Sequence, residues 1–488
     1  MHVRGTRTLA VATLALLNVL TLAAGLVVAH MLPPRLAALR IPVTAARPLV
    51  GAGQVLTPAG TSAAATQSTA QTQVPTQSGL ASMLGAALPE TDTGPGVGIE
   101  VADAQTGQVL YQSNAATLAT PGSTAKLVTA ATALALLGPD ARFSTVVREE
   151  GDTIVLVGGG DPTLAVNKYP AADYPQPATL AALAAGTARV LKAQGRKSVR
   201  LGYDTSLYGG PDMAPGWTED YIATGNVTPI VALEADQGRL TASGALEDSD
   251  DPVNYRPRTY DPAGLTAGAF ASLLEQDGIT VTGAATQVTA KAAAPDIASV
   301  QSPPLAAIVE QMLQESNNVI AENLARHVAI AIGMPATFSG AARGETTELR
   351  RLGVTTPVTL VDGSGLSPDD GIAPETLVRL LAATADTPSL RDVITGLPVA
   401  GFSGTLSAGD SDFGGIGDLD GGAARGVVRA KTGNLSTIAS LAGLAYDRDG
   451  TLLLFAIMTP NIPDADLLPD AATAIDQAAA GLAACGCT

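Results

Sequence analysis

Along "VGIEVADAQTGQVLYQ", residues 97–112, apolar and polar positions alternate on either side of Gln105-Thr106-Gly107. A period of two broken by a glycine-containing turn predicts a β-hairpin. The next stretch, "PGSTAKLVTAATALALL" at 121–137, is apolar without alternation: Pro121 and Gly122 break what precedes, and a buried helix follows. Near the other end, "VVRAKTG", "IASLAGLAY" and "LLLFAIMT" read as three strands with short turns, ahead of a helical "AATAIDQAAAGLAA". Five short strands around apolar helices predict one α+β domain built from both ends of the chain. What lies between, roughly 142–300, is then an insertion, with a strand-like "TIVLVGGG", a helix through 178–194 and the single tryptophan, Trp217.

The N-terminal region is patterned differently. Residues 8–32 form an apolar run long enough to span a bilayer. The "VVAHMLPP" that closes it offers no clean small-x-small cleavage site, so an uncleaved anchor is expected rather than a removed signal. Arg4 and Arg7 precede the run and Arg35 and Arg40 follow it, which leaves its orientation open. Residues 48–80, rich in Thr, Gln, Ala and Ser with no apolar period, read as a disordered tether. The expected organisation is an anchor or signal segment at 1–32, a tether at 33–82, the α+β domain from 83–141 plus 301–484, and an inserted domain at 142–300.

Composition narrows the chemistry. The 488 residues are 46% hydrophobic, enough for real cores, and a formal charge of −17 argues against a nucleic-acid partner. Histidine occurs only as His2, His30 and His327, and the first two belong to the leader. A Ser-His-Asp triad therefore has one possible histidine, and zinc sites are equally short of ligands. No metal or cofactor is expected. Cysteine occurs only as Cys485 and Cys487 in the C-terminal "CGCT", read as a dispensable tail that could bridge in an oxidising compartment. Asp92-Thr93-Gly94 is read as a turn, and the acidic "GDSDFGGIGDLDGG" at 409–422 as a solvated loop rather than a calcium site.

Ser123 and Lys126 are three apart, one turn from each other on one face of a helix. Two readings compete: an N-cap serine with a snorkelling lysine, or a catalytic pair in which apolar surroundings strip the ammonium of its proton and make it a base for the hydroxyl. The scarcity of histidine favours the second. Two further clusters are Ser316 and Asn318, which open an apolar helix in "ESNNVIAENLARH", and Lys431, which ends an apolar strand in "RAKTGN".

Ser-x-x-Lys, Ser-x-Asn and Lys-Thr-Gly in this order resemble the penicillin-binding proteins and serine β-lactamases. With "VGGGDPTL", "APGW", "MLQESNNVIAENLAR", "LVDGSGLS", "LPVAGFSGTL" and "RAKTGNLSTIASLAG", the chain from about 95 to 460 resembles the D-alanyl-D-alanine carboxypeptidase/endopeptidases, the class C penicillin-binding proteins. The resemblance implies a β-lactamase/transpeptidase-like α+β fold: a five-stranded antiparallel sheet with helices, and a large insertion between the first two motifs. It implies that Ser123 is acylated, that Lys126 takes its proton, that Ser316, assisted by Lys431, passes a proton to the leaving amine, and that Asn318 holds the substrate amide. Lys431 and Thr432 would bind the terminal carboxylate beside Gly433, and the backbone N–H groups of Ser123 and Asn434 would form the oxyanion hole. Asn434 stands where the family usually has a small hydroxyl residue, a change that a backbone donor tolerates. The implied partners are peptidoglycan stem peptides, β-lactams as covalent inhibitors, and a membrane held by the N-terminal segment, which places the enzyme outside the cytoplasm. A β-lactamase and a catalytically silent wall-binding protein are the alternative readings.

Overall fold

The computed structural model describes residues 74–171, 173–241, 256–407 and 422–487. The strands Gly98–Asp103 and Val109–Ser113 form the hairpin expected at 97–112, with Val101 paired to Tyr111. The three expected C-terminal strands are Val428–Leu435, Ile438–Tyr446 and Leu452–Met458. Leu452–Met458 pairs antiparallel with Gly98–Asp103, in register from Gly98 opposite Met458 to Asp103 opposite Leu453. One five-stranded antiparallel sheet thus joins both ends of the chain, with Val428–Leu435 at one edge and Val109–Ser113 at the other.

"LLLFAIMT" is continuously apolar because both faces of its strand are buried. Leu453, Phe455 and Ile457 point into a core with Leu80, Leu84, Ile475 and Leu482 from the helices Gln77–Ala87 and Leu468–Ala484. Leu454, Ala456 and Met458 point into a second core on the opposite face, built with Leu127, Ile320, Leu324 and Leu377. The helices Lys126–Leu137, Leu305–Glu315, Asn318–Ala331 and Pro374–Asp386 supply that face. The result is a helix–sheet–helix sandwich whose central strand has no solvent side.

Between the first two motifs the chain builds a separate sheet. Its order is Thr280–Val281, Ser198–Asp204, Thr153–Val157, Ser144–Glu150, Asp296–Gln301. Thr153–Val157 and Ser198–Asp204 run parallel, so a crossover is needed, and the helix Leu180–Ala193, capped by Thr179, supplies it. Leu156, Leu183, Leu191, Leu201 and Phe270 form a core of its own beneath this sheet.

Two expectations need correction. The end of the tether is helical: Gln77–Ala87 begins at the N-cap Thr76 and buries Leu80 and Leu84. Those two leucines, one turn apart, make an apolar stripe that the surrounding polar composition hides. The cysteine tail is not loose: Cys485 is buried, Cys485 and Cys487 form a disulfide, and Cys487 O accepts from the backbone N–H of Thr76 at 2.7 Å. Asp92 and Thr93 end a one-turn helix, Glu90–Thr93, closed by Gly94 at φ 72°. The apolar run at 8–32 and all but the last residue of the acidic loop at 409–422 lie outside the described residues. Among the described residues no helix is long and apolar enough to cross a membrane, and no group of His, Cys, Asp or Glu is arranged to hold a metal ion.

Candidate active site

Ser123 does not cap its helix. It lies in a 3₁₀ turn, Gly122–Ala125, that leads into Lys126–Leu137, and the turn is held by Thr124 Oγ1 donating to Pro121 O at 2.7 Å. This geometry turns the Ser123 hydroxyl toward Lys126, whose Nζ donates to Ser123 Oγ at 2.8 Å. Lys126 is fully buried and does not snorkel. Its Nζ also reaches Asn318 Oδ1 at 2.7 Å and Ser364 O at 2.8 Å. Burial pulls the ammonium down to about 7, against the charges of Asp362 and Glu322, which favour the proton. A lysine poised there can exchange a proton with a serine hydroxyl at neutral pH.

The second motif also differs from the expected helix opening. Ser316 is the left-handed C-cap of Leu305–Glu315, with φ 55°, and Asn317 is the N-cap of Asn318–Ala331, accepting from Ile320 N at 3.1 Å. The amide of Asn318 is oriented at both ends: Oδ1 accepts from Lys126 and Nδ2 donates to Asn226 O at 2.9 Å.

Lys431, expected at the end of a strand, lies inside Val428–Leu435 and is fully buried. Burial first, and the charge of Lys126 second, hold its ammonium well below the ordinary lysine range. Nζ donates to Thr432 O at 3.0 Å, and Thr432 Oγ1 is 2.9 Å from Thr405 Oγ1. The strand is pressed against the serine turn through glycines. A Cβ on Gly433 would come within 2.9 Å of Ser123 N and 2.5 Å of Pro121 O, and one on Gly122 within 2.9 Å of Asn434 N. Only glycine lets the two backbones approach so closely. The backbone at Ser123 and the backbone at Asn434 are thereby held in close contact.

His327, the one histidine among the described residues, is absent from this constellation. Its ring stacks on Phe143 at 3.8 Å, its Nε2 is 2.9 Å from Gly160 O, and burial lowers it to about 4. It is a core residue.

The profile of the D-Ala-D-Ala carboxypeptidase 3 (S13) family matches residues 80–245 and 233–482. The chain belongs to this family. Carboxypeptidase DacB of Mycolicibacterium smegmatis is 38% identical over 425 residues, covering 85% of this chain and 85% of that protein. Carboxypeptidase Rv3627c of Mycobacterium tuberculosis is 38% identical over 424 residues, 85% and 86% of the two chains. The crystal structure of penicillin-binding protein 4 (dacB) from Haemophilus influenzae superimposes with a TM-score of 0.66 at 22% identity, over 81% of this chain and 98% of that one, which shows the fold.

Beneath the S13 serine–lysine pair lies a set of groups whose roles sequence reasoning missed. "LVDGSGLS" folds as a loop around Asp362, whose carboxyl accepts from the backbone N–H groups of Ser364, Gly365 and Ser367 and from Trp217 Nε1 at 2.8 Å. Glu322 accepts from the N–H groups of Gly363 and Ser364 and, through burial first and the charge of Asp362 second, is raised to about 8. Burial first, and the charge of Asp362 second, push Asp370 up, and burial raises Glu345 to about 8. Asp362, Glu322 and Asp370 accept from backbone N–H groups of the loop that presents Ser364 O to Lys126, and Glu345 accepts from Thr129, whose hydroxyl also meets Gly363 O. The only sequence signal is "DGSG" itself, a turn composition whose acceptor is buried rather than solvated.

Proposed function

We propose that this chain is a serine-type D-Ala-D-Ala carboxypeptidase acting on peptidoglycan stem peptides through an acyl-Ser123 intermediate. The observation that carries the reading is the 2.8 Å contact between Ser123 Oγ and the Nζ of a fully buried lysine. Neutral Lys126 takes the hydroxyl proton as Ser123 attacks the carbonyl between the two D-alanines. The N–H groups of Ser123 and Asn434 receive the oxyanion, which explains why glycines stand at 122 and 433. Asn318 aligns the substrate amide. Ser316, assisted by Lys431, passes the proton to the departing amine, and water then releases the acyl group. Lys431 and Thr432, the latter fixed by Thr405, take the terminal carboxylate; a bound anion offsets the desolvation that disfavours the charged form of Lys431.

A strained β-lactam amide presents the same carbonyl, so the same steps leave a covalent penicilloyl-Ser123. A crosslink ending in a D-centre carries a carboxylate beside the scissile bond and fits the same pair, which supports endopeptidase cleavage as a second activity. The apolar run at 8–32 supports attachment to the outer face of a membrane. Ser123→Ala tests the reading: labelling by a fluorescent penicillin and release of D-alanine from a pentapeptide should both vanish, with thermal unfolding nearly unchanged. Undiminished labelling of that variant would sink the assignment.

A further inference from the structure

Among the described residues, four other than glycine adopt a left-handed backbone: Asn114, Asp236, Gln237 and Ser316. Such conformations are unfavourable for side-chain-bearing residues and persist only where the surroundings over-determine them. Three of the four converge on one point. Asp236 and Gln237 form the tip of a 3₁₀ turn, Asp236–Gly238, contributed by the segment between the first two motifs, and Ser316 is the proposed proton carrier of the second motif. Between them stands Asn317, fully buried, whose Nδ2 donates to Gln237 Oε1 at 2.8 Å and to Glu315 Oε2 at 3.2 Å.

The orientation of Asn317 is determined from both ends. Its Oδ1 must face inward, because it caps the helix that begins at Asn318, so its Nδ2 must face the inserted segment. The acceptor it meets there is itself held. Gln237 Oε1 also accepts from Arg239 Nη2 at 2.9 Å, and Gln237 O accepts from Nη1 of the buried Arg258 at 2.8 Å, while Arg258 Nε donates to Gly225 O at 3.0 Å. Gly225 is followed by Asn226, whose carbonyl orients Asn318. The same buried guanidinium therefore ties together the two backbone segments that touch Asn317 and Asn318.

We propose that Gln237 is a positioning residue for the second motif: its side-chain oxygen holds Asn317, and through Asn317 it sets Ser316 in its left-handed turn and Asn318 against Lys126. The segment between the first two motifs is thereby part of the acylation machinery, although none of its side chains is given a catalytic role. The proposal rests on the roles assigned above to Ser316 and Asn318.

The test is stopped-flow acylation of the full chain by a fluorescent penicillin, which separates the rate constant per active site from the number of active sites. Gln237→Leu should lower the rate constant about tenfold or more while the amplitude and the melting temperature stay near wild type. Gln237→Glu keeps an acceptor oxygen toward Asn317 and Arg239 and should recover most of the rate. Asn317→Asp keeps the helix cap but removes the donor; it should slow acylation as Gln237→Leu does, and the double variant should be no slower than either single one. Should Gln237→Leu fail to fold, the contrast between Gln237→Glu and Asn317→Asp decides. A wild-type rate constant in Gln237→Leu or Asn317→Asp, or equal slowing by Gln237→Glu, overturns the proposal. Ser316→Ala, run alongside, separates the two failures. If it is slow while Gln237→Leu is fast, only the positioning role falls; if it acylates normally, the reading of the second motif falls and takes the proposal with it.

Discussion

Lys126 can act as a base only when it has lost its proton, and burial brings that loss down to about pH 7. The neutral fraction rises with pH, so the second-order rate of penicillin acylation should climb about tenfold per pH unit below 7 and level off above it. A flat profile from pH 5 to 9 would mean that another base operates. Lys126→Arg keeps the charge in a guanidinium that does not deprotonate in proteins, and acylation should fall on the order of a hundredfold or more. Lys431 is a second buried lysine with a different task. If it reads the terminal carboxylate, amidating that group on a peptide substrate should cost about 1.5–3 kcal/mol in kcat/KM. Lys431→Gln should largely erase that preference; retention of it would place recognition elsewhere, with Arg429 the next candidate. Both lysines were legible in the sequence because a serine one helical turn away and a following Thr-Gly are local patterns. Asp362, Glu322 and Gln237 were not. Each acts on backbone or amide groups far along the chain: Glu322 holds Gly363 and Ser364, and Gln237 holds Asn317. No spacing rule connects such partners.

The element that decides the chemistry is the contact between the turn Gly122–Ala125 and the strand Val428–Leu435. Ser440 Oγ on the neighbouring strand donates to Pro121 O at 2.6 Å and lies 3.2 Å from Gly433 O, tying the serine turn to the sheet. Gly433→Ala would set a methyl group 2.5 Å from both Pro121 O and Ser440 Oγ and 2.9 Å from Ser123 N, so the turn must move outward and the two amides part. Acylation should then fall at least as far as it does for loss of one oxyanion donor, about a hundredfold, while circular dichroism stays close to wild type. Acylation at the wild-type rate would show that the two amides do not share the oxyanion. At this scale the hairpin and the three C-terminal strands followed from periodicity, because sheet strands announce themselves by length and turn chemistry. For Ser123 the sequence left an N-cap and a catalytic pair open, and Ser316 was expected to open a helix that in the structure begins at Asn318 behind the N-cap Asn317. A cap is the commonest use of such a serine, and only tertiary contacts, Lys126 in one case and the turn at Gln237 in the other, impose the alternative.

The two ends of the catalytic body meet, and this decides where a tether can begin. The helix Gln77–Ala87 packs Leu80 and Leu84 against Ile475 and Leu482 of the last helix, and Thr76 closes the contact by donating its backbone N–H and its hydroxyl to Cys487 O. The expected tether ran to residue 82 because its Thr, Gln and Ser composition continues into this helix; two leucines carry the helix, and their partner lies almost four hundred residues on. The insertion was legible as a long gap between motifs, yet its contacts with the site, Trp217 to Asp362 and Gln237 to Asn317, were not, since no local pattern ties either residue to a partner so far along the chain. If residues 8–32 anchor the chain, the full-length protein should sediment with membranes. A protease that cuts between residues 48 and 73 should then release a fragment that keeps Thr76 and labels with penicillin at the intact protein's rate. Replacing Leu80 and Leu84 together by Asp puts two charges into the core shared with the last helix, so that variant should melt at a clearly lower temperature and lose labelling as it unfolds. Recovery from the medium of mature protein beginning near residues 33–48 would show a cleaved leader in place of an anchor. A labelled fragment that stays with the membrane after the cut would show that the catalytic body has an attachment of its own.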